Sequence, residues 1–217
     1  MLFLFLTGLL FTSQTSFAHC DSKDGPVVAA ANKALEQNNI NYVFIWVQPT
    51  DEKEIKDAFE LTMKVRELSP EAKNLADNYF FETLVRIHRS GEGISYTGIK
   101  PSGTPIDEKI LAADKSIAVG NLTPLNDLIP KDETAELKKR FEKVMALKNY
   151  DINNVRAGRE YVEAYVQFFH FAEGEEEHNH NPIEKSGQVQ KLPWIFSGIL
   201  LITSILFGTL YYRKKIK

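Results

Sequence analysis

The sequence predicts an all-α domain, and three patterns predict it. Apolar residues recur at helical spacing through long stretches bounded by cap residues. The chain meets itself without a gap when shifted by 82 residues, so that Ala30 falls on Ala112. Its single cysteine, Cys20, excludes an intrachain disulfide, which leaves packing of helices as the source of stability.

The elements follow in order. Pro26 sits where a helix begins, and apolar residues continue from it to Leu35. Ile40 to Val47 is a short apolar run compatible with a helical turn or a strand. A helical turn is favoured because its partner under the shift, Leu122 to Ile129, contains Pro124. Thr50 is a cap for a helix from Asp51 to Leu68, acidic in its first turn. Ser69-Pro70 pairs a cap with a first-turn proline and opens a long helix to about Arg89, stopped by Gly91 and Gly93. In the second half, Asp107 starts one helix, Lys131 to Lys148 holds the next and Asn154 to Ala172 the last.

The shift matches clusters across the whole span. Ala30-Ala31 meets Ala112-Ala113, Lys33 meets Lys115, and Asn39 meets Asn121. Glu54 and Lys56 meet Glu136 and Lys138; Phe59-Glu60 meets Phe141-Glu142. Met63 meets Met145, Tyr79 meets Tyr161 and His88 meets His170. The expected architecture is a bundle of two tandem pseudo-repeats, residues 28–88 and 110–170. The glycine-rich stretch between them, Gly91 to Pro105, lacks the strand and the Gly-Lys-Ser/Thr of a phosphate loop and reads as a connection.

The two ends place the chain. Residues 1–18 read as a signal peptide: an apolar run to Phe11, then Ser16 and Ala18 spaced as signal peptidase prefers. Cleavage after Ala18 would make His19 the first residue. Pro193 to Tyr212 carries no charge and is long enough for one crossing, with Trp194, Tyr211 and Tyr212 at its ends. Arg213, Lys214, Lys215 and Lys217 follow and hold that end in the cytoplasm. The expected layout is an extracytoplasmic domain at 19–172, an acidic linker at 173–191 with His178 and His180, a membrane helix at 192–212 and a basic tail at 213–217. A net charge of −3 offers no footprint for nucleic acid.

Chemistry concentrates at the expected new terminus. The α-amine and imidazole of His19, the amide of Cys20 and its thiolate would lie within a few ångströms of one another. Amine and imidazole nitrogens suit copper, nickel and zinc, and thiolate favours the softer ions. Asp21 and Asp24 are candidate carboxylate ligands or acceptors around them. His88 and His170 close the last long helix of each repeat, and a duplicated bundle would bring them toward the axis and the terminus. An amino-terminal histidine chelating copper with a further histidine would form a histidine brace. Glu82 and Arg86 are spaced for an ion pair along one helix. No nucleophile, base and acid set and no dinucleotide fingerprint is present.

Three stretches carry a resemblance. His19-Cys20-Asp21 with Asp24 to Val28, Tyr79 to Arg89, and Ala157 to Val162 resemble a bacterial family catalogued as a domain of unknown function, over most of residues 19–172. The resemblance implies the domain boundaries and no activity. His19-Cys20-Asp21 and Gly25 also look like the amino-terminal hook of nickel superoxide dismutase, a helical-bundle enzyme. The second cysteine of that hook is absent, and Asp24 stands there instead. Three functions are therefore expected in turn. The first is transition-metal binding, by copper or nickel, through His19 and Cys20 with Asp21, Asp24, His88 and His170 as further ligands. The second is a metal-free surface module for a protein partner, and the third a redox enzyme distantly like the nickel dismutase.

Overall fold

The computed structural model describes residues 19–174. The chain divides into units Met1–His178 and Asn179–Lys217, and the described residues all belong to the first. They form seven α-helices and no strand: α1 (Pro26–Gln37), α2 (Asn41–Phe44), α3 (Glu52–Val65), α4 (Pro70–Gly91), α5 (Glu108–Val119), α6 (Thr134–Leu147) and α7 (Val155–Glu173). No helix among the described residues is long and apolar enough to cross a membrane. The leader expected at 1–18, the span at 192–212, the basic tail and nearly all of the linker lie outside the described residues.

Helix starts follow the side-chain cap chemistry in three of the seven helices. The Ser69 side chain accepts from Ala72 N, with Pro70 in the first turn, and the Asp107 and Asn154 side chains cap α5 and α7. The cap expected at Thr50 is not formed. A 3₁₀ turn over Pro49–Asp51 leads into α3, and Asp51 precedes the helix without a side-chain bond. Lys131 to Glu133 likewise stays outside α6, in a turn closed by Glu133 N on the Pro130 carbonyl.

Bounds and bonds recur at the 82-residue offset. α1 and α5 begin and end in step, as do α3 and α6, and α4 and α7 end in step. Asn38 and Gly120 both close their helices in the left-handed region, at φ 49° and 78°. Arg66 Nη1 donates to the Leu35 carbonyl at 3.0 Å, and Lys148 Nζ donates to that of Ile117 at 2.7 Å. The Lys56–Glu60 and Lys138–Glu142 pairs match as well. Within each half the packing repeats: α3 lies along α4 and α6 along α7, with α1 on α4 and α5 on α7.

The halves meet through residues 41–52. Ile45 packs on Gly158, Asn41 donates to Asn153 at 3.1 Å, and Arg159 reaches the Val47 carbonyl at 3.0 Å and Glu52 at 2.6 Å. Phe80, Leu84, Ile55 and Leu35 are fully buried in the first half, and Phe168, Leu125 and Val144 in the second. The ion pair expected between Glu82 and Arg86 is not formed. Arg86 crosses to Glu54 of α3 at 2.6 Å, and Glu82 accepts from the Tyr96 hydroxyl. A partner on a neighbouring element lies within reach of each side chain, and the solvent-exposed pair along one helix is worth too little to compete.

Candidate functional site at the buried amino-terminal segment

Residues 19–25 fold back on themselves before α1. Ser22 and Gly25 close successive turns through the carbonyls of His19 and Ser22. Gly25 has an ordinary φ of −79°, so conformational freedom is not what it supplies. A Cβ there would collide with the His19 carbonyl oxygen, and only glycine leaves room. The long connection between the halves straps this segment down. Lys100 N donates to Asp21 O at 2.7 Å, and Lys23 N donates to Lys100 O at 3.0 Å. The Asp24 carboxylate accepts from the Ser102 hydroxyl and from Gly103 N, and these bonds hold it below the usual carboxylate range. Asp24 is therefore spent on the strap at the surface.

The strap seats a run of polar residues in the core. His19, Cys20, Asp21 and Ser22 are each at most 5% exposed. His19 Nε2 lies 2.9 Å from Asp114 Oδ2 of α5. The Tyr165 hydroxyl of α7 donates to the other oxygen of Asp114 at 2.7 Å and stands 3.4 Å from His19 Nε2. Since a carboxylate can only accept, Nε2 carries the hydrogen. In the neutral ring this leaves the lone pair on Nδ1. That Nδ1 is buried and has no hydrogen-bond partner among the described residues.

Asp21 turns the other way. Its carboxylate lies 3.1 Å from Arg89 Nε near the end of α4, and Arg89 Nη1 holds Glu92 at 2.9 Å. Burial pushes the Asp21 carboxyl up, and Arg89 and then His88 pull it partly back. His88 joins this cluster: its Nδ1 bonds the Trp46 carbonyl at 2.9 Å, and its Nε2 faces Glu92 at 3.4 Å. Trp46 stands edge-on to both His88 and Tyr165, at 5.7 and 6.1 Å between centroids. Cys20 lies between the two clusters. Burial, then the charge of Glu92, pushes its thiol well above the ordinary range, so the sulfur is held protonated. His170 pairs with Glu173 at 3.4 Å and lies against Phe169.

The structure thus gathers His19, Cys20, Asp21 and His88 into one buried polar region and puts Asp24 on the surface strap. Among the described residues no three His, Cys, Asp or Glu side chains are arranged to hold a metal ion. Sequence reasoning missed Asp114, Tyr165, Trp46 and Glu92. No signal in the sequence singles them out: Asn32 and Thr83 stand at the first-half positions of Asp114 and Tyr165, but most positions differ under the shift. No curated protein and no solved structure matches the chain. A model described as a family of unknown function, DUF6448, matches residues 24–171, a span that begins after the His19 to Lys23 segment and takes in both halves of the bundle. The chain belongs to that family.

Proposed function

We propose that this domain binds one transition-metal ion, copper(II) foremost and nickel next, through the α-amine and Nδ1 of His19 after a leader ending at Ala18 is removed. One observation carries the reading: the imidazole is held by a carboxylate on Nε2, and its buried Nδ1 has no hydrogen-bond partner among the described residues. A histidine that ligates a metal characteristically donates its other N–H to a carboxylate, which fixes the tautomer and raises ligand basicity. Amine and Nδ1 of one residue close a chelate ring, and nitrogen donors rank copper(II) above nickel and zinc. The reading rests on the nitrogen donors of His19, and the buried Cys20 beside it is a further candidate donor. The same reading keeps the domain outside the cytoplasm on a span at 192–212 and takes the two halves as copies of one ancestral unit.

Intact mass of the mature protein tests the first condition, which is a chain beginning at His19. Copper(II) titration of the full chain in detergent tests the second. His19→Ala is expected to abolish uptake, and Asp114→Asn to weaken it about 10–100-fold. A mature chain that begins elsewhere, or equal uptake by wild type and His19→Ala, overturns the proposal.

A second reading, a metal-free module that binds a protein partner, is favoured by one surface. Leu68, just before α4, and Leu75, in its second turn, are 76% and 72% exposed, and Tyr79 follows one turn after Leu75. Their counterparts Tyr150, Ala157 and Tyr161 are half-buried in the second half. Self-association that is lost in Leu68→Ser/Leu75→Ser, with no copper uptake by wild type, would favour this reading.

A further inference from the structure

The α3–α4 pair carries an apolar face that no other described residue covers. The two helices run antiparallel, since Thr62 Oγ1 donates to the Ala76 carbonyl at 3.3 Å and Arg86 Nη2 meets Glu54 at 2.6 Å. Leu61 lies two turns after Glu54, and Tyr79 lies two turns before Arg86. Both therefore share the outer face of that ion pair and stand side by side. Further along, Val65 comes level with Leu75, and Leu68 with Ala72. Leu61, Leu68, Leu75 and Tyr79 are exposed, and Val65 and Ala72 are half-buried. The matching face of the second half carries Leu147, Tyr150, Ala157 and Tyr161, all half-buried. There the first half supplies a cover: Ile45 and Tyr150 both lie against Gly158, and Asn41 donates to Asn153. In a tandem array each unit covers its neighbour, and an end unit needs a polar outer face to stay soluble alone. The first half is an end unit with an apolar one.

We propose that a second copy of this chain covers the face, with the α3–α4 face of one protomer packed on that of its partner about a twofold axis. Two other occupants fit worse. Under the 82-residue shift the covering segment 41–52 falls on 123–134, with Asp127 in place of Ile45 and Asp77 in place of Arg159. Copies stacked head to tail would press the Asp127 carboxylate onto leucines. They would also set Asp77 where Arg159 holds the Val47 carbonyl and Glu52. An anionic lipid surface is disfavoured by charge. Glu67, Glu71 and Glu82 are exposed along the borders of the face against Lys64, and Lys73 is taken up by Asp77. The face does match itself. Ala72, Leu75 and Tyr79 follow the three-and-four spacing of a helix seam. With two α4 helices antiparallel, the small Ala72 of each faces Leu75 of the other. Leu68 then faces Tyr79, and Glu71 comes opposite Asn78, which can donate to it. Such an isologous contact closes at two copies. The proposal rests on the second reading, in which this face meets a protein, and names that protein.

The test uses two differently tagged full-length chains made in the same cells and treated with a short membrane-permeant bismaleimide. Native Cys20 is buried and supplies the background. Ala72→Cys in both chains is expected to give a covalent dimer holding both tags, because a residue near a twofold axis meets its own copy. Adding Leu61→Ser and Leu75→Ser should cut that yield about tenfold; both leucines are exposed, so the fold is kept. Should Ala72→Cys fold poorly, Glu71→Cys in one chain and Asn78→Cys in the other form the second pair, and both positions are exposed. Asp127→Cys should not join to itself. No mixed-tag dimer from either pair overturns the proposal, as does a yield that the serines leave unchanged. So does faster joining of Ala72→Cys to Asp127→Cys than to itself, which is the head-to-tail contact. Copper titration of the purified chain separates this proposal from the second reading. A dimer together with copper uptake removes only the metal-free module, and neither dimer nor uptake removes only the self-contact and leaves a different protein as partner.

Discussion

Replacing Arg89 by methionine keeps most of the side chain's length and removes the charge between two buried carboxylates. Arg89 is 3% exposed in its side chain and stands 3.1 Å from Asp21 and 2.9 Å from Glu92. At an effective dielectric near 20, each pair contributes about 4 kcal/mol of Coulomb attraction. Desolvation of the guanidinium offsets much of that, and breaking such a buried network by removing one partner costs about 3–5 kcal/mol. A domain of this size loses about 2–4 °C of melting temperature per kcal/mol, so Arg89→Met should melt roughly 6–20 °C below wild type.

The pH dependence has a definite sign. Burial raises the Asp21 carboxyl in the fold, so its charged form is the disfavoured one, and Arg89 lowers it. Without Arg89 it rises further. The penalty is present at pH values above that folded pKa and is relieved as the pH falls through it and the carboxyl takes up a proton. Arg89→Met should therefore lose less stability at pH 5 than at pH 7. Thermal unfolding of the full chain in detergent, followed by circular dichroism, reads both effects. Asp21→Asn in the same background should restore part of the loss, with a coupling of about 1–3 kcal/mol. A drop under about 3 °C, against the roughly 6–20 °C expected, would refute the buried-network account. So would strict additivity of the two substitutions.

Three further outcomes follow from the packing. Gly25→Ala drives a Cβ into the His19 carbonyl and should unseat residues 19–22, so that native Cys20, protected in wild type, becomes reactive toward a maleimide; unchanged protection would contradict this. Asp77 is bonded by Arg66 at 2.9 and 3.2 Å and by Lys73 at 2.6 Å, and these partners outweigh burial and hold its carboxyl below the usual range. Its stabilisation is full above the ordinary carboxylate value and is lost as the pH falls through the depressed one. Asp77→Asn should therefore cost about 2–3 kcal/mol at pH 7 and flatten the acid side of the stability profile; an equally steep acid loss in the variant would count against it. Gly158→Ala sets a helix-propensity gain of about 1 kcal/mol against overpacking on Ile45 of about 1–3 kcal/mol. A net loss is expected because Ile45 is β-branched and stiff, and Ile45→Ala should relieve it; a raised melting temperature in Gly158→Ala alone would show that the neighbour yields.

The helices were legible because their signals are local. Ser69-Pro70, Asp107 and Asn154 announce starts that form as the sequence predicts, and their side chains bond backbone groups two or three residues away. Thr50 failed for the same reason in reverse, since Pro49 admits a 3₁₀ turn before the helix and takes the cap position away. The candidate site was legible only in part. His19 and Cys20 stood out by their place next to a cleavage signal, but nothing local shows that they are buried or that Asp24 is held by Ser102 and Gly103 across the connection.

The sequence alone determined the all-α class, the spacing of the two halves and the chemical types clustered at residue 19. Each of these rests on periodicity and composition, which act within a few turns of the chain. Only the tertiary structure decided which histidine meets which carboxylate. His19 found Asp114, and His88 found Glu92 and the Trp46 carbonyl, because packing of α4, α5 and α7 sets those distances. A buried polar atom takes whatever partner the fold brings within about 3 Å, and no spacing along the chain encodes that choice.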